Sequence, residues 1–515
     1  MSTLRNLRQI RLEKLSKLKN LGINPYPSES KKEFPNSEIV NNFEKYESKN
    51  VSLTGRIMSW REHGNVIFGK LVDESGNIQI FIQKNELNLE TNSKDQSIGF
   101  RDLKLLDIGD FIEVEGKVSK TTRGEISIIP LKVRLLTKSL RPLPEKWEGI
   151  KDPEIIFRKR YLDLTMNEER RKIFKRKSHF WEISREFMAK FGFLEIETPV
   201  LEHVTGGADA KPFVTYHNAL DENFYLRIST ELYQKRLIGG GFEKIYTLGP
   251  NFRNEGIDDE HLQEYYQLEW YWAYADYRDN MKLVHDLFLE IAQKVYGKTK
   301  FESHSHKFDL EDKWEEIDYS NIIKDKLNID IFTSTDEEIY SVLEKHGIVI
   351  EKGAHKSRLV DNLWKIIRKD IAGPTFLVNV PKFISPLAKP KSDNELLTER
   401  FQVIIAGTEL GNGYSELNDP QDQYQRFMDQ QRSREQGDEE AQMMDIDYVE
   451  MLEYGMPPVS GYGQSERVFW ILEGVGAREA TFFPQMKKKY DLTLKEIYPD
   501  FKTSEETKKP LKKKK

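Results

Sequence analysis

The chain has 515 residues, 38% hydrophobic and 32% charged, with Lys+Arg 79 against Asp+Glu 85 and a formal charge of −6. At roughly 150 residues per domain this supports two to four domains with sizeable cores, and an ion-rich surface rather than a membrane or disordered chain. The cysteine count of 0 excludes disulfides, cysteinyl zinc sites and thiol nucleophiles. With no secretory leader pattern and no run of about 18 apolar residues, the expectation is a cytoplasmic protein with no membrane association.

Residues 1–21 place Leu4, Leu7, Leu15 and Leu18 at helical spacing, with Arg5, Arg8, Arg11, Lys14, Lys17 and Lys19 on the remaining arc. A stripe docked on the body and a phosphate-contacting arm both remain open readings of this basic helix. Gly22 and Pro25-Tyr26-Pro27 end it. These first 50 residues are expected to form an N-terminal extension.

From Val51 to about residue 140 the period becomes two. Ile78, Ile80 and Ile82 alternate with Gln79, Phe81 and Gln83; Ile112, Val114 and Val118 alternate with Glu113, Glu115 and Lys117. About five strands in under 90 residues, punctuated by Gly76-Asn77 and Thr122-Arg123-Gly124, predict a small closed barrel of the OB type. Outward Phe68, Phe81 and Gln79 suit stacking on unpaired bases, or plain packing.

Arg141-Pro142-Leu143-Pro144 reads as a linker into a larger domain, residues 141–500. It opens with a helix carrying Ile173, Phe180, Ile183, Phe187 and Phe191 and stopped by Gly192. Helices near 280–296, 337–346 and 358–370 alternate with strands near 224–228, 244–248, 264–274, 375–380, 400–406 and 412–417. The expected class is therefore α+β, built on an antiparallel sheet with flanking helices. No Rossmann or Walker glycine pattern occurs, Gly239-Gly240-Gly241 reads as a turn, and His304 and His306 lack partner ligands. Residues 501–515 form a basic tail expected to be disordered.

Three stretches carry chemistry. In residues 246–274 an arginine in Asn251-Phe252-Arg253-Asn254-Glu255 precedes a strand whose Tyr265, Gln267, Glu269 and Tyr271 share one face. Thr408–Asp419 adds Glu409, Glu416 and close-spaced glycines, and its carboxylates are hard ligands suited to Mg²⁺. Gly461-Tyr462-Gly463-Gln464-Ser465-Glu466-Arg467 leads into an apolar helix with an arginine at its start, where a phosphate can be met.

Pro199 closing FLEIETPVL, FRNEG with His261, TELGNGYSELND and the terminal G-x-G…E-R helix together resemble the signature motifs of class II aminoacyl-tRNA synthetases. Among these they resemble most the lysyl-tRNA synthetase family of bacterial type, from about Leu15 to about Met486. The resemblance implies a lysine–tRNA ligase using ATP and Mg²⁺, with tRNA(Lys) and L-lysine as partners and a homodimer packed through the first motif. It implies Arg253 bridging the amino-acid carboxylate and the ATP α-phosphate, and Arg467 on the γ-phosphate. Glu255, His261 and Tyr265 would hold the nucleotide. Glu231 and the Gly207 backbone would meet the α-ammonium; Glu269, Tyr271 and Glu416, with Asn412 nearby, would meet the side-chain ammonium. Glu409 and Gln402 would hold metal, and Arg61, Phe68, Gln79 and Glu125 would read the anticodon. A pocket with several carboxylates independently favours a cationic substrate over an acidic one.

The sequence departs from the family pattern at Gln402, where a glutamate is usual, in Gln464-Ser465 within the glycine run, at Pro250, and in Leu262-Gln263 after His261. The competing expectation these raise is a nucleic-acid-binding or regulatory paralogue that keeps the fold without the catalysis.

Overall fold

The computed structural model describes residues 4–144, 152–256, 261–350, 354–435, 441–489 and 492–500. The chain divides into two compact units, residues 1–151 with 487–515, and residues 152–486. The basic tail at 501–515 and part of the linker lie outside the described residues.

In the first unit, strands β1 (Asn50–His63), β2 (Val66–Val72), β3 (Asn77–Gln83), β4 (Phe111–Lys120) and β5 (Ile126–Thr137) close a barrel in the order β1-β2-β3-β5-β4. The period-two pattern decides what is inside. Ile78, Ile80 and Ile82 are buried with Leu53, Val114 and Val133, while their alternates face out. Helix α1 (Leu4–Asn20) docks on this barrel. Leu18 is buried as the leucine stripe requires, but so is Arg11, which the sequence pattern put on the solvated arc. Its guanidinium donates to the carbonyls of Ile108, Ser139 and Arg141, and Lys14 pairs with Asp107 at 2.7 Å. These carbonyls lie outside the strand ladder and need donors, and an arginine supplies several at once. The short helix Leu492–Ile497 belongs to this unit, where the Arg8 guanidinium lies 5.6 Å over the Tyr498 ring.

The second unit is built on eight strands: β6 (Leu194–Glu195), β7 (Lys244–Phe252), β8 (Glu264–Ala273), β9 (Glu315–Asp318), β10 (Thr375–Val378), β11 (Arg400–Ile405), β12 (Thr408–Ser415) and β13 (Val459–Ser465). Their order is β9-β10-β11-β12-β13-β8-β7-β6, antiparallel except for a parallel pairing at each edge. Alternation again sorts the faces. Leu268, Trp270, Tyr462, Val403 and Leu410 join an apolar core with helices α2 (Glu168–Lys190), α4 (Tyr277–Ile291) and α5 (Arg467–Glu473). Helix α3 (Glu231–Gly239) packs on the opposite face of the sheet. Trp270 satisfies its one donor inside the core, giving its indole hydrogen to Asn280 Oδ1 at 2.9 Å.

On the opposite face, apolar clusters around Ile245 and Tyr448, and around Trp364 and Leu377, flank a polar stretch of the central strands. That stretch is a cross-strand row: Thr247, Glu269, Gly463, Asn412 and Gln402 stand opposite one another from β7 to β11. The next row holds Ile245, Tyr271, Gly461, Tyr414 and Arg400. Glu409 reaches the same face only through a bulge. Val403 pairs with Gly411 but Ile404 pairs with Glu409, so Leu410 is an extra residue that re-phases the strand. The helices Pro420–Glu435 and Ile446–Tyr454 were not anticipated from sequence.

Candidate active site

The polar face floors a cavity of about 300 Å³. Arg253, Glu255, His261, Tyr265, Glu409 and Arg467 line it together with Gly207, Glu231, Glu269, Tyr271, Asn412 and Glu416. Every residue expected at the nucleotide and amino-acid sites is thus brought to one space. Gln402, expected beside Glu409, lines a neighbouring cavity of about 360 Å³ instead, although it shares its sheet face with Glu409.

At the nucleotide end, Arg253 follows β7 directly, and its amide donates to the Gln263 carbonyl at 2.9 Å. Its guanidinium lies 5.5 Å over the Tyr265 ring, within cation–π range. Gln263, one of the departures from the family pattern, ties the loop by donating to the carbonyls of Glu255 and Gly256 at 3.2 and 2.8 Å. Arg467 opens α5; its amide donates to Ser465 Oγ at 3.2 Å and its Nη1 to the Glu409 carbonyl at 3.1 Å. Ser465, in the altered glycine run, therefore acts at the start of the helix that carries the arginine.

The other end is lined by three buried carboxylates. Glu269 accepts from Tyr271 OH at 2.7 Å, Thr230 OH at 2.8 Å and Gln267 Nε2 at 2.9 Å. Burial pushes its carboxyl up, Glu231 adds to this, and the Tyr271 and Thr230 donors oppose it. Glu231, at the first turn of α3, accepts from Lys235 Nζ at 2.5 Å and Tyr414 OH at 2.6 Å. Glu416 is 2% exposed; its Oε2 is paired with Lys235 Nζ, whereas its Oε1 has no hydrogen-bond partner among the described residues. Burial, opposed by Lys235, holds the Glu416 carboxyl well above the usual range. A buried acceptor facing a cavity with capacity left is a demand for a donor.

Backbone shape matters at two glycines. At Gly461 an added Cβ would lie 2.4 Å from both Glu416 Oε1 and the Tyr271 ring. Gly207 has φ +83° and would place a Cβ 2.8 Å from Ser229 Oγ; its amide donates to Gln442 Oε1 at 3.3 Å. Asn412 is held by Arg400, whose Nε donates to its Oδ1 at 2.7 Å. Lys235, Arg400, Tyr414, Thr230 and Gln442 were missed from the sequence. The only usable signal was Glu231 and Lys235 four apart on a helix.

In the barrel, Arg61, Phe68, Gln79 and Glu125 line a single cavity of about 220 Å³ with Lys70 and Asn77. Phe68 and Phe81 face each other across β2 and β3 and stack at 5.0 Å. Gln79 Oε1 accepts from Ser127 OH at 2.8 Å, which leaves its amide hydrogens for a ligand.

Residues 152–487 match the family model described as tRNA synthetases class II (D, K and N), and residues 51–136 match that of the OB-fold nucleic acid binding domain. A protein named lysine–tRNA ligase from Thermotoga maritima is 43% identical over 494 residues, 94% of this chain and 97% of the relative. One of the same name from Fervidobacterium nodosum is 42% identical over 509 residues, 98% of each chain. With these motifs assembled on an antiparallel sheet in a unit that follows an OB barrel in the sequence, the chain belongs to the lysine-specific family of class II tRNA synthetases.

Proposed function

We propose that this chain is a lysine–tRNA ligase. A lysine carboxylate oxygen attacks the α-phosphorus of ATP, the bond to the bridging oxygen breaks, and pyrophosphate leaves lysyl-adenylate behind. A terminal ribose hydroxyl of tRNA(Lys) then attacks the activated carbonyl, releasing AMP and a proton to solvent. The observation that carries this reading is one cavity with Arg253 and Arg467 at one end and buried Glu231, Glu269 and Glu416 at the other. A diammonium amino acid spans such a gradient with its carboxylate toward the arginines.

Arg253 and Arg467 take the catalytic roles by fixing the reacting oxygen beside phosphorus and countering phosphate charge. Glu255, His261 and Tyr265 position the nucleotide. Glu231 and Gly207 receive the α-ammonium, and Glu269, Tyr271 and Glu416, flanked by Asn412, receive the side-chain ammonium. Gln402 Oε1 is buried without a hydrogen-bond partner among the described residues and shares a face with Glu409, so two hard oxygen donors are available to Mg²⁺. Mg²⁺ held by Glu409 and Gln402 would neutralise charge on the nucleotide phosphates, with one protein charge fewer than a carboxylate pair provides.

Arg61, Phe68, Gln79 and Glu125 read the tRNA anticodon by stacking and edge hydrogen bonds. The protein works as a homodimer. Leu194, Leu201, Val214, Tyr216 and Leu220 are exposed around β6 and the small sheet after the first motif, an apolar cost that a second copy removes. A cytoplasmic location fits the reaction, and no helix among the described residues is long and apolar enough to cross a membrane. The deciding experiment is ATP–pyrophosphate exchange with the full chain. Lysine should support it and aspartate should not; exchange absent with lysine would leave the paralogue without catalysis as the reading.

A further inference from the structure

Lys235 is completely buried, four residues along α3 from Glu231. Its Nζ stands between Glu231 Oε1, at 2.5 Å, and Glu416 Oε2. The rings of Tyr414, Tyr271 and Tyr448 surround it at 5.4, 5.9 and 5.9 Å. Burial alone would pull its ammonium pKa down, but the two carboxylates more than offset this and hold it above the ordinary lysine value. Lys235 does not line the substrate cavity, whereas both carboxylates do. It is a cation behind the wall, and it occupies none of the space a substrate needs.

Charge counting gives it a purpose. With the substrate's ammonium groups in place to favour the ionised forms, three carboxylates and one ammonium carry two net negative charges, which match the two ammonium groups of a lysine whose carboxylate is turned to Arg253. Three like charges in a dry pocket without that internal cation would hold back a proton. A protonated carboxyl no longer attracts a cation as a carboxylate does.

We propose that Lys235 is a positioning residue for substrate selection, a fixed internal counter-ion that aims Glu231 and Glu416 and sets the pocket's charge to suit a diammonium amino acid. This rests on the lysine–tRNA ligase reading. It reaches substrate only through those two carboxylates, with Tyr271, Tyr414 and Tyr448 as the remaining groups packed on it and Glu269 as the pocket's third carboxylate, repelled by both of the others.

The test uses the full chain with Lys235→Met and Lys235→Arg, read by lysine-dependent ATP–pyrophosphate exchange between pH 6.5 and 8.5, with thermal melting as the check on folding. Lys235→Met should raise the lysine KM at least tenfold at pH 7 while the ATP KM stays within twofold. Its lysine KM should fall as pH rises more steeply than that of the parent, because without the internal cation a proton is held more firmly and must leave before the substrate ammonium can bind. Lys235→Arg, which keeps the charge, should recover most of the loss and carries the comparison if the Met variant does not fold. A folded Lys235→Met with unchanged lysine KM and pH profile, or an Arg variant as impaired as Met, would overturn the proposal. Exchange absent from the unsubstituted chain would instead remove the reading beneath it.

Discussion

The Tyr271 hydroxyl donates to Glu269 Oε1 at 2.7 Å, so two side chains separated by one residue on β8 form a single fixed wall of the cavity. Thr230 and Gln267 hold the other oxygen of the same carboxylate. The wall is therefore built before substrate arrives, which spares the ordering cost at binding.

Replacing Glu269 with Gln removes a charge and turns an amide donor toward groups that are themselves donors. Hydrogen bonds to charged groups contribute about 1.5–3 kcal/mol, so the lysine KM should rise by one to two orders of magnitude. The ATP KM should stay within twofold. Steady-state exchange kinetics with each substrate varied separately measure both; an unchanged lysine KM would move the side-chain ammonium site elsewhere.

Gly461→Ala tests the shape of that end. The new Cβ would sit 2.4 Å from Glu416 Oε1 and from the Tyr271 ring, so one of them must shift and the pocket floor must rise. Lysine should lose more exchange activity than ornithine, which is shorter by one methylene. The measured ratio of kcat/KM for lysine over ornithine should fall below that of the parent, and a ratio unchanged or increased would contradict the assignment of Gly461 to the pocket floor.

The barrel can be separated from the chemistry by Phe68→Ala. Losing one stacking platform should weaken tRNA(Lys) binding by about 1–3 kcal/mol, measured by filter binding at fixed salt. Lysine-dependent exchange without tRNA should be unaffected. Loss of exchange alongside tRNA binding would mean that Phe68 acts through the stability of its unit rather than by reading bases.

Much of this was legible because strands impose a period of two. Glu269 and Tyr271 had to share a face once β8 was recognised, and Leu268 and Trp270 had to enter the core behind them. Bulges break that reasoning. Glu409 and Asn412 are three apart and by simple alternation would point to opposite faces; only Leu410 as an extra residue reunites them. Lys235 was hidden for another reason: nothing in a helix sequence says that a lysine will be enclosed by one carboxylate from the residue after β12 and one from its own first turn. Arg11 reversed a reading that charge alone had suggested, since the carbonyls it satisfies come from residues about 100 and more away in sequence. The helix Pro420–Glu435 escaped because it is polar nearly all round, with Phe427 its one large fully buried apolar side chain.

Glu202 offers a test of stability against pH. It is 3% exposed, and its carboxyl is pushed up to about 8, first by burial, with Asp445 and Glu269 adding and Arg227 and Arg236 opposing. The unfolded chain gives up this proton near the ordinary glutamate value of about 4.3. Between that value and about 8 the folded state binds more protons than the unfolded state, so this group costs progressively more stability as pH rises and no more above it. Glu202→Gln removes the titration and keeps the shape. The melting temperature of the variant relative to the parent should therefore climb from pH 5 to pH 8, by a few degrees in total, and level off beyond. A difference that is flat across the range, or that shrinks as pH rises, would show that Glu202 is ionised in the folded protein and held by Arg227 and Arg236 after all.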